Sequence, residues 1–408
     1  MSGLRQAAWY VLATLAGRGI GFLMLPVVTG HLSPADYGVL ELLAAMADAG
    51  GILIGFGLTD TLFRFAAQAG PVGRDAVAAK VLGQAVASSL IALAAVLPLL
   101  FLFGHVLPAA LRPGQVAIVA VSLAAGACVQ VPLAWLRLTD RAGSYVGCMV
   151  GRGVVQALLV AAALMGGLGV TGMLAATAIV DTAMATFLIA HQGRRTGLVF
   201  GMHRELLAYG GPLVLSGLAG FVLGSLDRWF LIGAVPVDAI GRYGLAVKLA
   251  LLVPLAMQPF DLWWYPRRLM VLAGVDGERR HARMAALGIA WALAAAGGIA
   301  LVGPMAVGLL TPEPYHAAAG WLPWLALAAA LQLAGSLVNV RSYAQRTGIL
   351  PSLVNASAAA VTLSGYLTLI PTYGVAGAIA STIAGLSVRL TLFLAADRVL
   401  ATRAVAAA

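Results

Sequence analysis

The feature that most constrains this chain is a series of long apolar stretches, separated by short breaks that hold most of the charged residues. A transmembrane helix needs about 20 predominantly apolar residues to cross a hydrocarbon core of about 30 Å. Only 10% of the residues are charged, against about 25% in an average soluble domain. A water-soluble surface cannot be built from so few charges. The sequence therefore predicts an all-α integral membrane protein.

The apolar runs predict about twelve transmembrane helices. The predicted spans lie near residues 7–28, 39–62, 80–104, 115–136, 146–166, 170–190, 206–233, 243–262, 285–310, 320–338, 351–370 and 375–397. The first run is too long for a signal-peptide core and lacks a clear small-x-small cleavage site, so we expect it to remain as the first helix.

Basic residues in short connections indicate which helix ends face the cytoplasm. With both termini inside, eighteen Lys and Arg residues fall at inner connections, and only Arg112 and Arg242 fall at outer ones. One missed helix would exchange the two sides for every later connection, so the asymmetry favours an even number of spans. It also explains the formal charge of +10 as a topology signal beside anionic lipid rather than a nucleic-acid surface.

Short motifs recur at a separation of 205 or 206 residues, in the same order in both halves. The matches are Tyr37-Gly38 with Tyr243-Gly244, Pro98 with Pro304, Arg141-x-Gly143 with Arg346-x-Gly348, and Gly169-Val170-x-Gly172-x-x-Ala175-x-Thr177 with Gly374-Val375-x-Gly377-x-x-Ala380-x-Thr382. This pattern predicts a tandem duplication of a six-helix unit.

The duplication predicts a six-helix bundle over residues 1–190, a basic cytoplasmic linker over 191–205 and a second bundle over 206–408. Because six is even, the two copies enter the membrane in the same direction. Parallel repeats of this kind place a central cavity between two halves that rock in alternating access. The sequence thus favours a transporter.

Five basic residues remain inside the predicted spans, namely Arg18, Arg152, Arg228, Lys248 and Arg389. A charge at the bilayer centre costs about 2.5–3.5 kcal/mol on insertion scales, so such residues usually face a wet cavity or a partner charge. We expect Arg18 to anchor the substrate because it is too deep to reach either interface. Snorkelling remains an alternative for Arg152 and Lys248, and an ion pair for Arg228 and Arg389. Arginines in a cavity favour an anionic substrate.

Asp48 and Asp181 are the deepest acidic residues of the predicted spans. Intramembrane carboxylates often bind a coupling cation or relay protons. A neutralising pair between Asp48 and Arg18 is an equally open interpretation. The His and Cys residues show no metal-ligand spacing, so we expect no metal and no cofactor beyond a coupling ion, H⁺ or Na⁺.

The N-terminal quarter resembles the polysaccharide-biosynthesis flippases, the Wzx-like O-antigen and exopolysaccharide transporters of the MATE-like flippase superfamily. The residues that carry the resemblance are Leu32-Ser33-Pro34-Ala35-Asp36-Tyr37-Gly38, Gly57-Leu58 and Arg64-Phe65. The resemblance implies a MATE-like fold and transfer of an undecaprenyl-pyrophosphate-linked oligosaccharide across the bacterial inner membrane. It also implies contact with membrane lipids and with a polysaccharide polymerase and glycosyltransferases as partners.

Three alternatives stay open at this point. A MATE-type ion-coupled antiporter for drugs or small molecules is the first, although basic residues outnumber acidic ones in the spans. A peptidoglycan-precursor flippase resembles this chain but usually has two further helices. A membrane polymerase or glycosyltransferase needs a sizeable outer loop for its chemistry, and every predicted outer connection is short. We therefore expect a transporter that is not an enzyme.

Overall fold

A computed structural model describes residue 17 and residues 19–265, 267–272, 274, 276–344 and 349–406. These residues form helices and connections, and contain no strand beyond an isolated bridge between Ile232 and Val235. The helices of unit 1 and the boundary region are α1 (Gly19–His31), α2 (Pro34–Gly55), α3 (Leu58–Phe103), α4 (Pro113–Leu138), α5 (Ala142–Met165), α6 (Gly169–Thr196) and α7 (Arg204–Gly224). They are followed by α8 (Asp227–Leu231), α9 (Val237–Ala250), α10 (Leu252–Trp264), α11 (Arg268–Leu272), α12 (Gly277–Leu310), α13 (Leu322–Val338), α14 (Val340–Ala344), α15 (Ile349–Tyr373) and α16 (Val375–Ala406).

The helices confirm a multi-pass membrane protein. Within the described residues, ten helices are long and apolar enough to cross a membrane. The helices Glu313–Gly320 and Leu322–Val338, bent by 50° at their junction, count as an eleventh if the pair forms one span. The first predicted span, 7–28, overlaps the shorter apolar helix Gly19–His31 and otherwise lies outside the described residues. Each of the twelve predicted spans therefore overlaps a helix.

The chain divides into two compact units, with unit 1 ending at Leu218 and unit 2 beginning at Ala219. The boundary falls within α7, after the non-helical linker 197–203. The predicted basic linker 191–205 thus includes the last turns of α6, because that helix continues to Thr196.

In unit 1 the core is built around α4. One cluster contains Val131, Ala134 and Trp135 of this helix together with residues of α3 and Leu206 of α7. A second cluster joins Cys128 and other α4 residues to α6. Since α4 contributes to both, it is the helix most enclosed by its neighbours, and 56% of its apolar window is buried.

In unit 2 the corresponding central helix is α13. Its residues Ala326, Ala330 and Leu337 share a cluster with α10 and α12, and its last residue, Val338, joins a second cluster with α15 and α16. The fourth predicted span of each half is therefore the packing centre of its unit.

The repeated glycine motif has a conformational explanation. Gly169 and Gly374 precede or begin the sixth helix of each half, with φ of 54° and 55°. This left-handed conformation costs a residue with a side chain about 1–2 kcal/mol. The repeated Tyr37 and Tyr243 are 1% and 2% exposed, so they are core positions. Of the repeated pairs, Arg346-x-Gly348 lies outside the described residues.

Two breaks were not predicted. The second span is interrupted at Phe56 and Gly57, which adopt φ of 45° and 61°, so α2 ends before them and α3 begins after them. The predicted seventh span, 206–233, is not continuous, because α7 ends at Gly224 and a short helix, α8, follows. Within α3, Gly70 has φ 67° and ψ −173° and forms the connection between the second and third spans.

The linker 197–203 is bound to α3 by polar contacts. The Val199 amide donates to the Ala79 carbonyl at 3.1 Å, and the His203 amide donates to Gln84 Oε1 at 3.0 Å. Lys80 Nζ lies 2.9 Å from Glu205 Oε1 at the start of α7. We call the end of unit 1 that holds this linker, the Gly70 bend and the α4–α5 turn the linker end.

Candidate functional site

A charged cluster lies inside unit 1, where α4, α5 and α6 meet. Nε and Nη2 of Arg152 donate to Asp181 Oδ1 at 2.9 and 2.6 Å. Ser122 Oγ donates to Asp181 Oδ2 at 2.5 Å. The Asp181 side chain is 5% exposed and that of Arg152 is 23% exposed. Both oxygens of the carboxylate are thus engaged, while part of the guanidinium remains accessible.

This cluster lies near the middle of its helices. Arg152 is ten residues after the start of α5 at Ala142, and Asp181 is twelve residues after the start of α6 at Gly169. At 1.5 Å per residue these separations are about 15 and 18 Å, close to half the hydrocarbon thickness. The predicted start of α5, residue 146, was four residues too late, so Arg152 is deeper than the sequence indicated. Asp181 is its neutralising partner at that depth.

Further polar pairs follow the same helix contacts. Gln156 Nε2 donates to Thr177 Oγ1 at 3.2 Å, one turn from the Arg152–Asp181 pair on both helices. Gln115 Nε2 donates to Thr171 Oγ1 at 3.2 Å. The sequence analysis did not single out these residues. For Gln156 and Thr177 the sequence did contain an indication. Gln156 follows Arg152 by four residues and Thr177 precedes Asp181 by four, so each pair lies on one helix face.

Unit 2 contains an arginine in a related position. Arg389 Nε of α16 donates to Asn355 Oδ1 of α15 at 2.9 Å, and its Nη1 lies 3.4 Å from the Gln332 carbonyl of α13. Its guanidinium is 5.5 Å from the centre of the Phe393 ring. The fourth, fifth and sixth spans of each half thus meet around one arginine. The arginine is on the fifth span in unit 1 and on the sixth in unit 2, so a comparison at fixed offset does not align them.

Arg228 is enclosed in unit 2. Its Nη1 donates to Asp227 Oδ1 at 2.9 Å and to the Gly224 carbonyl at 3.2 Å. Tyr243 donates its hydroxyl to the other Asp227 oxygen. The side chains of Arg228 and Asp227 are 8% and 5% exposed. Of the two interpretations of Arg228, the ion pair with Asp227 is present in this structure.

The other predicted site residues are not in these clusters. Asp48 of α2 and Lys248 of α9 are exposed. Lys248 lies in the middle of the span Val237–Asp261, eleven residues or about 16 Å from its start, so it too is deeper than predicted. Arg18 lies outside the described residues, and so does any pair between it and Asp48.

The described residues contain no group of three or more His, Cys, Asp or Glu side chains that could hold a metal ion. The cluster at the α4–α5–α6 contact consists of one cation, Arg152, and one anion, Asp181, with hydroxyl and amide neighbours, an arrangement that can exchange its internal partner for an external anion or cation.

A family model described as polysaccharide biosynthesis protein matches residues 4–267. The chain belongs to the polysaccharide biosynthesis protein family. The match spans all of unit 1, including Arg152 and Asp181, and extends into unit 2 through α10. No curated protein sequence shows a significant match to this chain.

Solved structures show the same fold. The chain is similar to the lipid II flippase MurJ in an inward closed conformation, with a TM-score of 0.70 and 12% identity over 95% of this chain and 87% of that chain. It is also similar to the inward-facing conformation of a multidrug resistance MATE family transporter of the MOP superfamily. There the TM-score is 0.67 and the identity 17%, over 94% of this chain and 96% of that one.

These matches confirm the predicted fold class, an all-α membrane protein of the MATE-like fold. They also confirm the resemblance seen in the first 65 residues. The polysaccharide biosynthesis family and these structural neighbours are transporters and flippases rather than enzymes. The chain accordingly has the fold of these flippases and transporters, and its substrate and the roles of the individual charged residues remain predictions.

Proposed function

We propose that this protein carries an undecaprenyl-pyrophosphate-linked oligosaccharide from the inner to the outer leaflet of the bacterial inner membrane by alternating access. The observation that carries the proposal is the family match over residues 4–267, since that family is defined by polysaccharide biosynthesis. The structural similarity to a lipid II flippase supports a lipid-linked substrate. Glycosyltransferases that build the glycan and a polymerase that extends it are the partners implied.

The Arg152–Asp181 pair suggests how an anionic headgroup is bound. A diphosphate offers several oxygens in the geometry that a guanidinium binds in a bidentate manner. Arg152 is held at mid-depth with 23% of its side chain exposed, so a diphosphate that reaches it competes with Asp181. Neutralisation of Asp181 by H⁺ or Na⁺ releases Arg152 for the substrate. This exchange couples substrate binding to an ion, which is the role we propose for Asp181.

The remaining predicted residues are proposed as further substrate contacts or as a second ion-coupling residue. Arg389 binds neutral groups, the Asn355 amide and the Gln332 carbonyl, and Lys248 is exposed in mid-span. We propose both as further substrate contacts, together with Arg18. Arg228 already binds Asp227, so its proposed contact with substrate requires that pair to open. Asp48 is proposed as a second ion-coupling residue.

The proposed orientation places both termini and the linker end of unit 1 in the cytoplasm. It follows from the eighteen basic residues at inner connections against two at outer ones, because basic loops are retained on the cytoplasmic side. Labelling of the variants Met202→Cys, at an exposed linker residue, and Arg112→Cys, in the α3–α4 connection, tests the orientation. Labelling of position 202 from outside intact spheroplasts would reverse it.

The test of the transport function is translocation of a fluorescent undecaprenyl-pyrophosphate oligosaccharide in proteoliposomes. Wild type is compared with Arg152→Gln and with Arg112→Gln, which removes an exposed arginine from a connection. We expect wild type and Arg112→Gln to move the lipid and Arg152→Gln to lose at least 90% of the rate. Arg18→Ala and Asp48→Asn, predicted from sequence alone, are measured beside them at matched reconstitution.

The results separate the two main candidates. Movement by wild type across several glycans supports a flippase. If wild type is folded but moves no glycolipid, and instead exchanges a small organic ion for H⁺ or Na⁺, the MATE-type antiporter is the function. A rate for Arg152→Gln equal to that of Arg112→Gln would remove Arg152 from the mechanism.

A further inference from the structure

Three arginines at the linker end of unit 1 lie over aromatic rings. The Arg64 guanidinium carbon is 4.3 Å from the centre of the Tyr209 ring. That of Arg74 is 5.9 Å from the Trp135 ring. Arg137 contacts two rings, Phe63 at 5.3 Å and Tyr145 at 5.6 Å. These rings belong to α3, α4, α5 and α7, so the contacts place all three guanidiniums at one end of the unit.

The hydrogen-bonding edges of these arginines remain available. Within the described part of the chain, the guanidiniums of Arg64 and Arg137 form no hydrogen bond or ion pair with another side chain or with the backbone. Arg74 approaches Asp75 only to 4.0 Å and its side chain is 42% exposed. Its Nε–H is buried and is therefore not part of the accessible edge. A guanidinium stacked on a ring uses its face and keeps its N–H edge for a planar or tetrahedral anion. Arg152, in contrast, already donates to a carboxylate.

Packing against a buried hydrophobic cluster holds some of these rings in place. Trp135 and Leu206 belong to the buried cluster that joins α3, α4 and α7, and Phe63 and Phe65 pack against it. Side chains held by packing lose little rotational freedom when their neighbours bind a ligand. Packing therefore orients the rings beneath Arg74 and Arg137, Trp135 and Phe63, before any anion arrives.

The charge of this surface suits an anion with more than one negative charge. Residues 63–84, 135–145 and 191–209 contain eight Lys and Arg residues and three acidic residues. The acidic residues are Asp75, Asp140 and Glu205, and Glu205 is paired with Lys80. The surface has a net positive charge of five. A phospholipid phosphodiester carries one negative charge, whereas a diphosphate carries at least two.

The linker 197–203 indicates the depth at which this surface lies in the membrane. Leu198, Val199, Phe200 and Met202 are exposed by 39%, 46%, 61% and 44%. They lie between Arg195 and Arg204. Exposed apolar side chains flanked by basic residues are typical of a segment at the boundary of headgroups and acyl chains. The linker thus brings the ring-supported arginines to the level at which the phosphates of membrane lipids lie.

We propose that the linker end of unit 1 is a docking surface for the diphosphate of a polyprenyl-linked substrate, bound by Arg64, Arg74 and Arg137 before translocation begins. The surface is distinct from the mid-depth cluster around Arg152. The proposal rests on the proposed function for the identity of the lipid. The anion chemistry itself rests on the three arginines.

The test uses the full chain in phosphatidylcholine nanodiscs and undecaprenyl diphosphate without sugar as the probe. The dissociation constant is measured for wild type and for the triple variant Arg64→Gln, Arg74→Gln, Arg137→Gln. The matched control is Arg279→Gln, Arg280→Gln, Arg283→Gln, which removes the same charge from exposed residues of α12 in unit 2. We expect the first variant to bind at least tenfold more weakly than wild type and the control to change less than threefold. Equal weakening in both variants would reduce the surface to a general electrostatic effect and overturn the proposal.

Two further measurements test the bidentate geometry of the arginines and the identity of the bound lipid. A triple Arg→Lys variant at residues 64, 74 and 137 retains the charge but loses the planar fork, so we expect weaker binding than in wild type with an unchanged unfolding temperature. Wild-type affinity in that variant would contradict the bidentate geometry. Competition with phosphatidylglycerol separates the lipids. Displacement of the probe at equimolar phosphatidylglycerol would assign the surface to anionic phospholipid instead of a diphosphate.

Failure of this proposal and failure of the transport function give different results. If glycolipid translocation is observed but probe binding is unaffected by the three arginines, docking at the linker end is wrong and the flippase stands. If no glycolipid moves but the three arginines control diphosphate binding, the docking surface stands and the transported substrate is another polyprenyl diphosphate.

Discussion

The pair between Arg152 and Asp181 allows a quantitative test of how unit 1 tolerates charge at mid-depth. The perturbation is a double-mutant cycle of Arg152→Gln, Asp181→Asn and the double variant. Each substitution keeps the approximate size of the side chain and removes its charge. The two guanidinium nitrogens that donate at 2.9 and 2.6 Å lose their anionic acceptor in Asp181→Asn. In Arg152→Gln the carboxylate keeps only the Ser122 hydroxyl.

The magnitude follows from burial and depth. Removal of one partner from a buried ion pair costs about 3–5 kcal/mol, because the other charge is left uncompensated. Arg152 is 23% exposed, so we take the lower end, about 3 kcal/mol for each single variant. The double variant leaves no charge and is expected to cost no more than about 4 kcal/mol. The coupling energy is then at least about 2 kcal/mol, or at least roughly a 30-fold change in the unfolding equilibrium.

Reversible unfolding in mixed micelles of mild detergent and dodecyl sulfate, followed by tryptophan fluorescence, measures the cycle. The control cycle is Lys80→Gln with Glu205→Gln, an exposed pair at 2.9 Å in the same unit, for which we expect no measurable coupling. A coupling energy for Arg152 and Asp181 below about 0.5 kcal/mol would be within ordinary additivity error. That result would show that the pair does not neutralise a mid-membrane charge.

The remaining predictions concern glycines with matched neighbours, and both are read as changes in the free energy of unfolding in detergent. A Cβ at Gly210 would lie 2.4 Å from the Phe56 carbonyl oxygen, whereas one at Gly211 meets nothing within 4 Å. We expect Gly210→Ala to destabilise by about 1–3 kcal/mol and Gly211→Ala to be neutral, and equal effects would contradict the close approach of α7 to the helix break. Gly374 has φ 55°, so Gly374→Ala is expected to cost about 1–2 kcal/mol relative to Gly297→Ala in open space on α12. No difference between them would mean that residue 374 does not adopt the left-handed conformation.

Part of the candidate site was predictable and part was not. The sequence located Arg152, Asp181, Arg228 and Arg389 within apolar runs, where a charge needs a partner or water. It left open whether Arg152 snorkels or pairs, because the start of α5 was placed four residues late. A comparison of the two halves at a fixed offset also cannot align an arginine on the fifth span of one unit with an arginine on the sixth span of the other.

The membrane fold class, the approximate positions of the spans and the family resemblance could be read from the sequence alone, and the duplication of a six-helix unit was predicted from it. These are one-dimensional properties, since hydrophobic length, charge position and repeat spacing are read along the chain without knowledge of its neighbours. The glycine at each start of a sixth helix belongs to the same group, because its left-handed conformation is local.

Which charges meet could be seen only in the three-dimensional structure. Arg152 and Asp181 are 29 residues apart, and their contact depends on the rotation of α5 and α6 about their axes. The same is true of Arg137 between Phe63 and Tyr145. Gly55 and Gly57 flank the break at Phe56, but the left-handed conformation of a phenylalanine is unfavourable by itself and persists where packing against α7 compensates for it. Helix rotation and close approach arise from the packing of whole surfaces, and no single segment of sequence contains that information.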